Sequence, residues 1–540
     1  MNSSIELLES RIAPAAIFVS ANTATYTDQD GDLITVKFGK PILTDGVGGN
    51  VATILATSAA GSGERLDLIN LTGVAGAAGT SISVTAKLAG NGDGLVNVGR
   101  ISSDVDLGAV AIRGDLHEID AGDLADTTKA GVKSLSVYSF GLATILLGGA
   151  AAESTIQGPL GSLTVKTDMP GPRLLVVAAV NADAKIGSVT IGGTLSGSGA
   201  DFTGVIGAEG SIGKVKIGGD IFGNAGQDSG VVYSSFGNIG SITIGGSIYG
   251  GGINSGALSA GLRIGKIKIG GDVTGGSGHD SGQIFSGTGT GSITLGGSLI
   301  GGAGFNSANL ISTGSLGPVK IGGSVRGEGD AINGNTAAIA AYGGSIAGIT
   351  IGRDAIAGDG TANGSIFAQT SLGPVKIGGS IYSAGTGDFL IRAIGTPENP
   401  VAIAALTVAG SVRDAVILAG YNVLNAPVSG NASIGAVKVG GNWIASSIAA
   451  GVENTVFPNF GDANDSLIGT PALVSKIASI TIGGFVSGTV GGSDHFGFVA
   501  QEIGKLSIGG TKIAIPAPGF GARDLGLTGD FTVVQIPLVT

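Results

Sequence analysis

A twelve-residue phrase, Ile-Gly-x-Val-x-Ile-Gly-Gly-x-Ile-x-Gly, returns about every 26 residues through most of the chain. A period of that length restricts the fold to stacked repeats. The phrase reads cleanly over 212–223, 239–250 and 264–275, and with small changes from Ile186, Leu316, Leu372, Ile434, Ile477 and Ile503. Within each copy apolar residues alternate with small or polar ones, as in Lys214-Val215-Lys216-Ile217. Period two marks a half-buried strand, here with Val215 and Ile217 turned inward. The Gly218-Gly219 pair permits a bend, Asp220-Ile221-Phe222 forms a second strand, and Val231-Val232-Tyr233 a third.

Strands this short cannot bury an apolar face alone, so coils must stack like on like, about 4.8 Å apart. The expected fold is all-β: a right-handed parallel β-helix, or β-solenoid, of about fifteen coils with three short strands each, on the order of 70 Å in length.

A second periodicity lies on the outside. The position between the two core residues of the first strand reads Thr190, Lys216, Thr243, Lys268, Thr294, Lys320, Thr350, Lys376, Thr407, Lys438, Thr481. An unbroken lysine column would set like charges about 5 Å apart, which is destabilising; alternation doubles the spacing. Asp220 and Asp272 accompany the lysine coils, Ser247 and Ser298 the threonine coils. A corner column of Asp228, Asn254, Asp280 and Asn306, each followed by serine and headed by Asp201, predicts stacked Asx turns. A chain of cation sites is the alternative, weakened by the neutral amides.

Composition narrows the function. The 540 residues include 104 glycines and no cysteine, with a net charge of -11. The chain is too apolar and too regular for disorder, and it has neither disulfides nor thiolate metal sites. Nucleic acid is excluded as a partner because phosphate binding needs concentrated Lys and Arg. No apolar stretch of about 20 residues provides a transmembrane span.

Along the chain, residues 1–16 read as an export- or anchor-like segment, 17–104 as a small β domain or cap, 105–510 as the solenoid and 511–540 as a closing cap. Strands are expected in the head at 33–38, 51–55, 66–71 and 81–88. Between residues 377 and 482 the repeat spacing swells, with extra residues after the third strand at 395–400, 421–431 and 452–475. Insertions on one face of a solenoid are commonly its binding face. This protruding corner holds Glu398, Tyr421, Glu453, Phe457, Phe460, Asp462 and Asp465, candidate contacts for a polysaccharide or another matrix protein. Loop drift without a ligand is the plainer alternative.

Asp28, Asp30 and Asp32, alternating around Gly31, are candidate calcium ligands, since hard cations take several oxygens from a tight turn. The bidentate glutamate of an EF-hand is missing, and an acidic turn before the next strand is the alternative. Calcium is the one candidate cofactor. His117, His279 and His495 lie too far apart in sequence to form one centre, and Gly-x-Gly-x-x-Gly strings mean little in so glycine-rich a chain. Only the neighbourhood of Asp388, Arg392, Arg413 and Asp414 breaks the outer regularity as a catalytic groove would. No catalytic residue is assigned.

The stretches Leu8-Glu9-Ser10-Arg11-Ile12-Ala13-Pro14-Ala15, Tyr26-Thr27-Asp28-Gln29-Asp30-Gly31-Asp32-Leu33-Ile34-Thr35-Val36 and Gly114-Asp115-Leu116-His117-Glu118-Ile119-Asp120-Ala121-Gly122-Asp123 resemble a family of bacterial secreted or surface β-helix repeat proteins. That family begins with a Leu-Glu-Pro-Arg-type motif, in which Ser10 here replaces the proline. The resemblance covers the head and the Gly-Gly coils. It implies an extracellular or cell-surface setting and carries no catalytic residues. The expected function is therefore a non-enzymatic structural or adhesive scaffold, with self-association left open. The alternatives are a carbohydrate-active β-helix, lyase or hydrolase, and a calcium-dependent matrix component.

Overall fold

The computed structural model describes residues 16–60, 63–142, 152–328, 334–359, 363–491 and 494–538. Almost all of the export-like segment 1–16 therefore lies outside the described residues. No helix among them is long and apolar enough to cross a membrane. The chain forms two compact units, one running to Leu195 and including Thr203–Lys216, the other comprising Ser196–Phe202 and everything from Ile217.

In the first unit, strands Ile17–Ser20, Thr23–Thr27 and Leu33–Phe38 are antiparallel neighbours, and the last pairs antiparallel with Thr80–Lys87. Thr80–Lys87 is parallel to Leu107–Ala121 on its other side, through Ile82↔Val110 and Val84↔Ile112. The antiparallel head thus covers a strand edge that the first parallel coil would leave open. Beyond it like residues sit on like, Val110 on Leu135, Leu135 on Leu163 and Leu163 on Val189. Parallel pairing already joins Gly63–Asn70 to Val96–Ser102 within the head. Residues 51–55 are not the expected strand: Val51–Ile54 makes one helical turn before the strand Leu55–Ala60. Asn50 decides this locally, its Nδ2 donating to the Ile42 carbonyl at 2.8 Å and its Oδ1 accepting from the Thr44 N–H at 2.7 Å.

The second unit shows the expected registry directly. Thr243 pairs with Lys268, Lys268 with Thr294, Thr294 with Lys320, and the alternation runs through Thr350, Lys376, Thr407 and Lys438 to Thr481. The lysines are exposed and the flanking Ile, Val and Leu residues buried. A second ladder stacks Ile248, Val273, Leu299, Val325 and Ala355, and a third stacks Leu258, Ile284, Leu310, Ile339, Ile366, Ile391, Ile417 and Ile448. These interior side chains are nearly all fully buried, each large one contributing about 1.5–3 kcal/mol. Parallel stacking makes them one another's neighbours, so no coil has a core of its own. The last coil is closed by Phe531–Gln535, parallel to Phe496–Ala500 and edged by the antiparallel strand Arg523–Asp524.

At Gly296 and Gly297 the Gly-Gly pair serves space rather than backbone freedom, since neither adopts positive φ, whereas Gly509 and Gly510 near the C-terminal end both do. A Cβ on Gly296 would stand 2.1 Å from the Gly270 carbonyl oxygen, and one on Gly297 2.0 Å from Asp272 Oδ1. That carboxylate accepts the N–H of Ser298 at 2.6 Å. The same bond recurs at every step: Asp220 accepts from Ser247, Ser247 from Asp272, Ser298 from Ser324, Ser324 from Asp354 and Asp354 from Ser380. Ser380, Ser411 and Asn442 extend this side-chain ladder to Phe485.

The Asx column exists for a backbone reason. Asp228, Asn254, Asp280 and Asn306 all lie in the left-handed region, with φ of 49°, 52°, 56° and 55°, which Asx residues tolerate best after glycine. Asn254 Nδ2 donates to Asp228 Oδ1 at 3.0 Å, and the serines that follow are fully buried, closing the corner through bonds such as Ser255 Oγ to the Gly252 carbonyl at 2.9 Å. Asp201 does not head this column. Phe202 takes the left-handed position in that coil (φ 57°), while Asp201 accepts the Gln227 N–H at 2.8 Å.

Candidate functional site

Two places concentrate chemistry, one in each unit. In the head, the hairpin between Thr23–Thr27 and Leu33–Phe38 brings one oxygen each of Asp28, Asp30 and Asp32 within 4.8 Å of one another. Asp28 Oδ1 accepts the N–H groups of Gly31 and Asp32 at 3.1 and 2.8 Å. Asp32 is fully buried and reaches across to the next loop, accepting from Ala89 at 2.7 Å and Gly94 at 2.6 Å. Asp30 Oδ2 accepts from Asp93 at 3.2 Å. A cavity of about 190 Å³ opens beside them, its walls including Tyr26, Asp28, Asp30, Glu64, Asp93 and Asp115.

Glu64 arrives from strand Gly63–Asn70 as the bridge partner of Asp28. It is 4% exposed, Tyr26 3%. Burial raises Asp28 to about 7, helped by the adjacent Asp30 carboxyl, and the same contact lowers Asp30. Burial also pushes the Tyr26 phenol up. The sequence alone yields the aspartate trio. It does not yield Glu64 or Tyr26, whose relation to the trio is set by strand pairing.

At the other place, the insertions do follow the third strands, and those at 421–431 and 452–475 fold down onto the outer face of that sheet. Tyr421 and Phe460, two of the residues expected at the binding face, are 1% and 0% exposed. With Val452 and Ile468 they cover Leu390, Val416, Leu418, Ala449 and Val499, forming an apolar core outside the coils. The Tyr421 hydroxyl donates to the Val452 carbonyl at 2.8 Å, and its ring meets Phe460 edge-on at 6.3 Å. Phe457 packs on both rings but remains exposed, as does Glu398, and Glu453 is half-buried.

Asp462 and Asp465 are held together by Asn454, whose Nδ2 is 2.8 Å from each, and Gly461 N–H donates to Asp465 at 2.6 Å. Burial raises Asp465 to about 6. Both aspartates line an open groove with His495, Asp524 and Thr532. The signal for the outer core was available in the sequence: third strands such as Phe389-Leu390-Ile391 and Val416-Ile417-Leu418 lose the alternation of a one-sided strand.

Asp388 and Asp414 also interact. Burial, then Asp414, raises Asp388 to about 6, while burial raises Asp414 against the opposing pull of Arg413, 3.3 Å away. Arg392 is fully buried; its Nη1 donates to the Val423 carbonyl at 2.6 Å. His279 packs against Phe305 and His495 contacts the Phe460 carbonyl.

These features define the class: an all-β chain of parallel stacked coils with an acidic antiparallel head. No protein-family model matches it, and neither a curated protein nor a solved structure does.

Proposed function

We propose that this chain is a non-enzymatic structural or adhesive scaffold, exported to the cell surface or beyond, whose stacked coils hold a binding face in a fixed position. The observation that carries the reading is the unbroken registry from Thr243 to Thr481, in which exposed lysines alternate with threonine along one column. Such regularity suits a load-bearing surface, whereas catalytic clefts depend on local irregularity. The resemblance of residues 8–15, 26–36 and 114–123 to secreted β-helix repeat proteins supports the setting. Polysaccharide or matrix protein is the partner class, engaged through the exposed part of the insertions: Glu398, Phe457 and the Asp462–Asp465 groove. Fractionation of the native host with an antibody to the chain tests this. Recovery in the envelope or medium is expected; recovery confined to the cytosol overturns it.

A second reading, a carbohydrate-active enzyme, is favoured by Asp388 and Asp414, two neighbouring carboxyls with raised pKa of the sort that acid–base catalysis uses. Depolymerisation of soluble polysaccharide by the purified protein, abolished by Asp414→Ala, would replace the scaffold reading with this one.

A further inference from the structure

We infer that the head cavity is a calcium site, in which Asp28, Asp30 and Asp32 each give one oxygen while buried Glu64 and Tyr26 receive the water molecules completing the ion's shell. Three convergent carboxylates are common without an ion, and here two further observations point to one. Glu64 Oε2 and the Tyr26 hydroxyl are both buried, both belong to residues on the cavity wall, and neither has a hydrogen-bond partner; Asp30 Oδ1 is in the same condition. Burying such atoms unpaired is unfavourable, and most of all for a charged group. Arg65, the cation on the cavity wall, is engaged by Asp67 at 2.6 Å.

The spacing fits the ion. Oxygens bound to one calcium at about 2.3–2.6 Å are at most about 5 Å apart, and the three aspartate oxygens fall within 4.8 Å. Calcium's tolerance of six to eight oxygens in irregular geometry suits a roomy acidic cavity better than magnesium's strict octahedron. Asp32 also links the ion to the fold, because its carboxylate binds the N–H groups of Ala89 and Gly94. Gly92 leaves room for it, since a Cβ there would lie 1.9 Å from Asp32 Oδ1. A bound ion would thus tie the 28–32 turn, the 89–94 loop and the Glu64 strand together.

The test uses the full chain stripped with chelator. Calorimetric titration with calcium chloride should show one ion per chain, and terbium should give tyrosine-sensitised emission that calcium displaces. Glu64→Gln and Asp30→Asn should weaken calcium at least tenfold, and Tyr26→Phe should cut the terbium emission severalfold while leaving the chain folded. Absence of binding at millimolar calcium overturns the inference, as does undiminished affinity in both carboxylate variants or tighter binding of magnesium than of calcium. Should a carboxylate variant fail to fold, the wild-type titration and the Tyr26→Phe emission still decide.

Discussion

At the scale of single residues the repeat is a set of steric exclusions. At Gly246, Gly271, Gly297, Gly323, Gly379, Gly441 and Gly484 the second glycine of the Gly-Gly pair lies over a side-chain oxygen of the coil before it, and that oxygen holds the next backbone N–H. At Gly323 an added Cβ would lie 2.2 Å from Ser298 Oγ, the acceptor of the Ser324 N–H at 3.1 Å. Gly323→Ala should therefore cost about 2–3 kcal/mol by overpacking, and Ser298→Ala about 1 kcal/mol by orphaning a donor. The two costs should not add: with the hydroxyl gone, part of the clash disappears, and the double variant should be at least about 1 kcal/mol more stable than the sum of the single effects. Denaturant unfolding followed by Trp443, the chain's one tryptophan and fully buried in the second unit, measures the cycle. Strict additivity would mean that the glycine serves something other than the hydroxyl beneath it.

At the scale of elements, the coils were legible because burial on one side of a strand writes period two into the sequence, and vertical stacking repeats it column by column. Depth in the insertions was not legible from loop length, which says where residues leave the sheet and not whether they fold back. Tyr421 and Phe460 looked like ligand contacts and prove to be core, while the loss of alternation in Val416-Ile417-Leu418 was the sign that a second layer covers the sheet. The aspartate trio was visible because it is local, whereas Glu64 is joined to Asp28 by pairing across 36 positions of chain. From the outer core it follows that Tyr421→Ala and Phe460→Ala should each cost about 3–5 kcal/mol, whereas Phe457→Ala should cost no more than about 1 kcal/mol, since Phe457 is 39% exposed. Urea midpoints check this ranking, and a Phe457 cost equal to that of Phe460 would contradict the layering.

The same region should respond to pH. Folding raises Asp388 to about 6 from the ordinary 3.8, so the native state takes up a proton between about pH 4 and 6, and stability falls as the pH rises through that window. Asp388→Asn should stabilise the second unit at pH 8 by about 1–2 kcal/mol, discounted for the partial exposure of this side chain, and change little at pH 4. Equal effects at both values would assign the gain to packing.

For the whole molecule, charge placement matters more than charge count. A chain of net charge -11 nevertheless displays exposed lysines at alternate levels of one column, Lys268, Lys320, Lys376 and Lys438, each facing threonine above and below. Overall acidity discourages self-precipitation, but it cannot relieve repulsion between lysines stacked one strand apart. Filling the intervening levels should expose this. Thr294→Lys combined with Thr350→Lys would place five lysines in succession, Lys268 through Lys376, about 5 Å apart. At that distance each neighbouring pair costs about 0.8 kcal/mol in water, so the double variant should lose about 1–3 kcal/mol at low salt. Most of this should return near 1 M salt, where the screening length is about 3 Å. Thr294→Gln with Thr350→Gln keeps long polar side chains without charge and isolates the effect from lost β-branching. A loss equal in the glutamine pair, or unmoved by salt, would show that threonine was selected at alternate levels for strand propensity and stem packing, and that electrostatics has no part in the two-coil period.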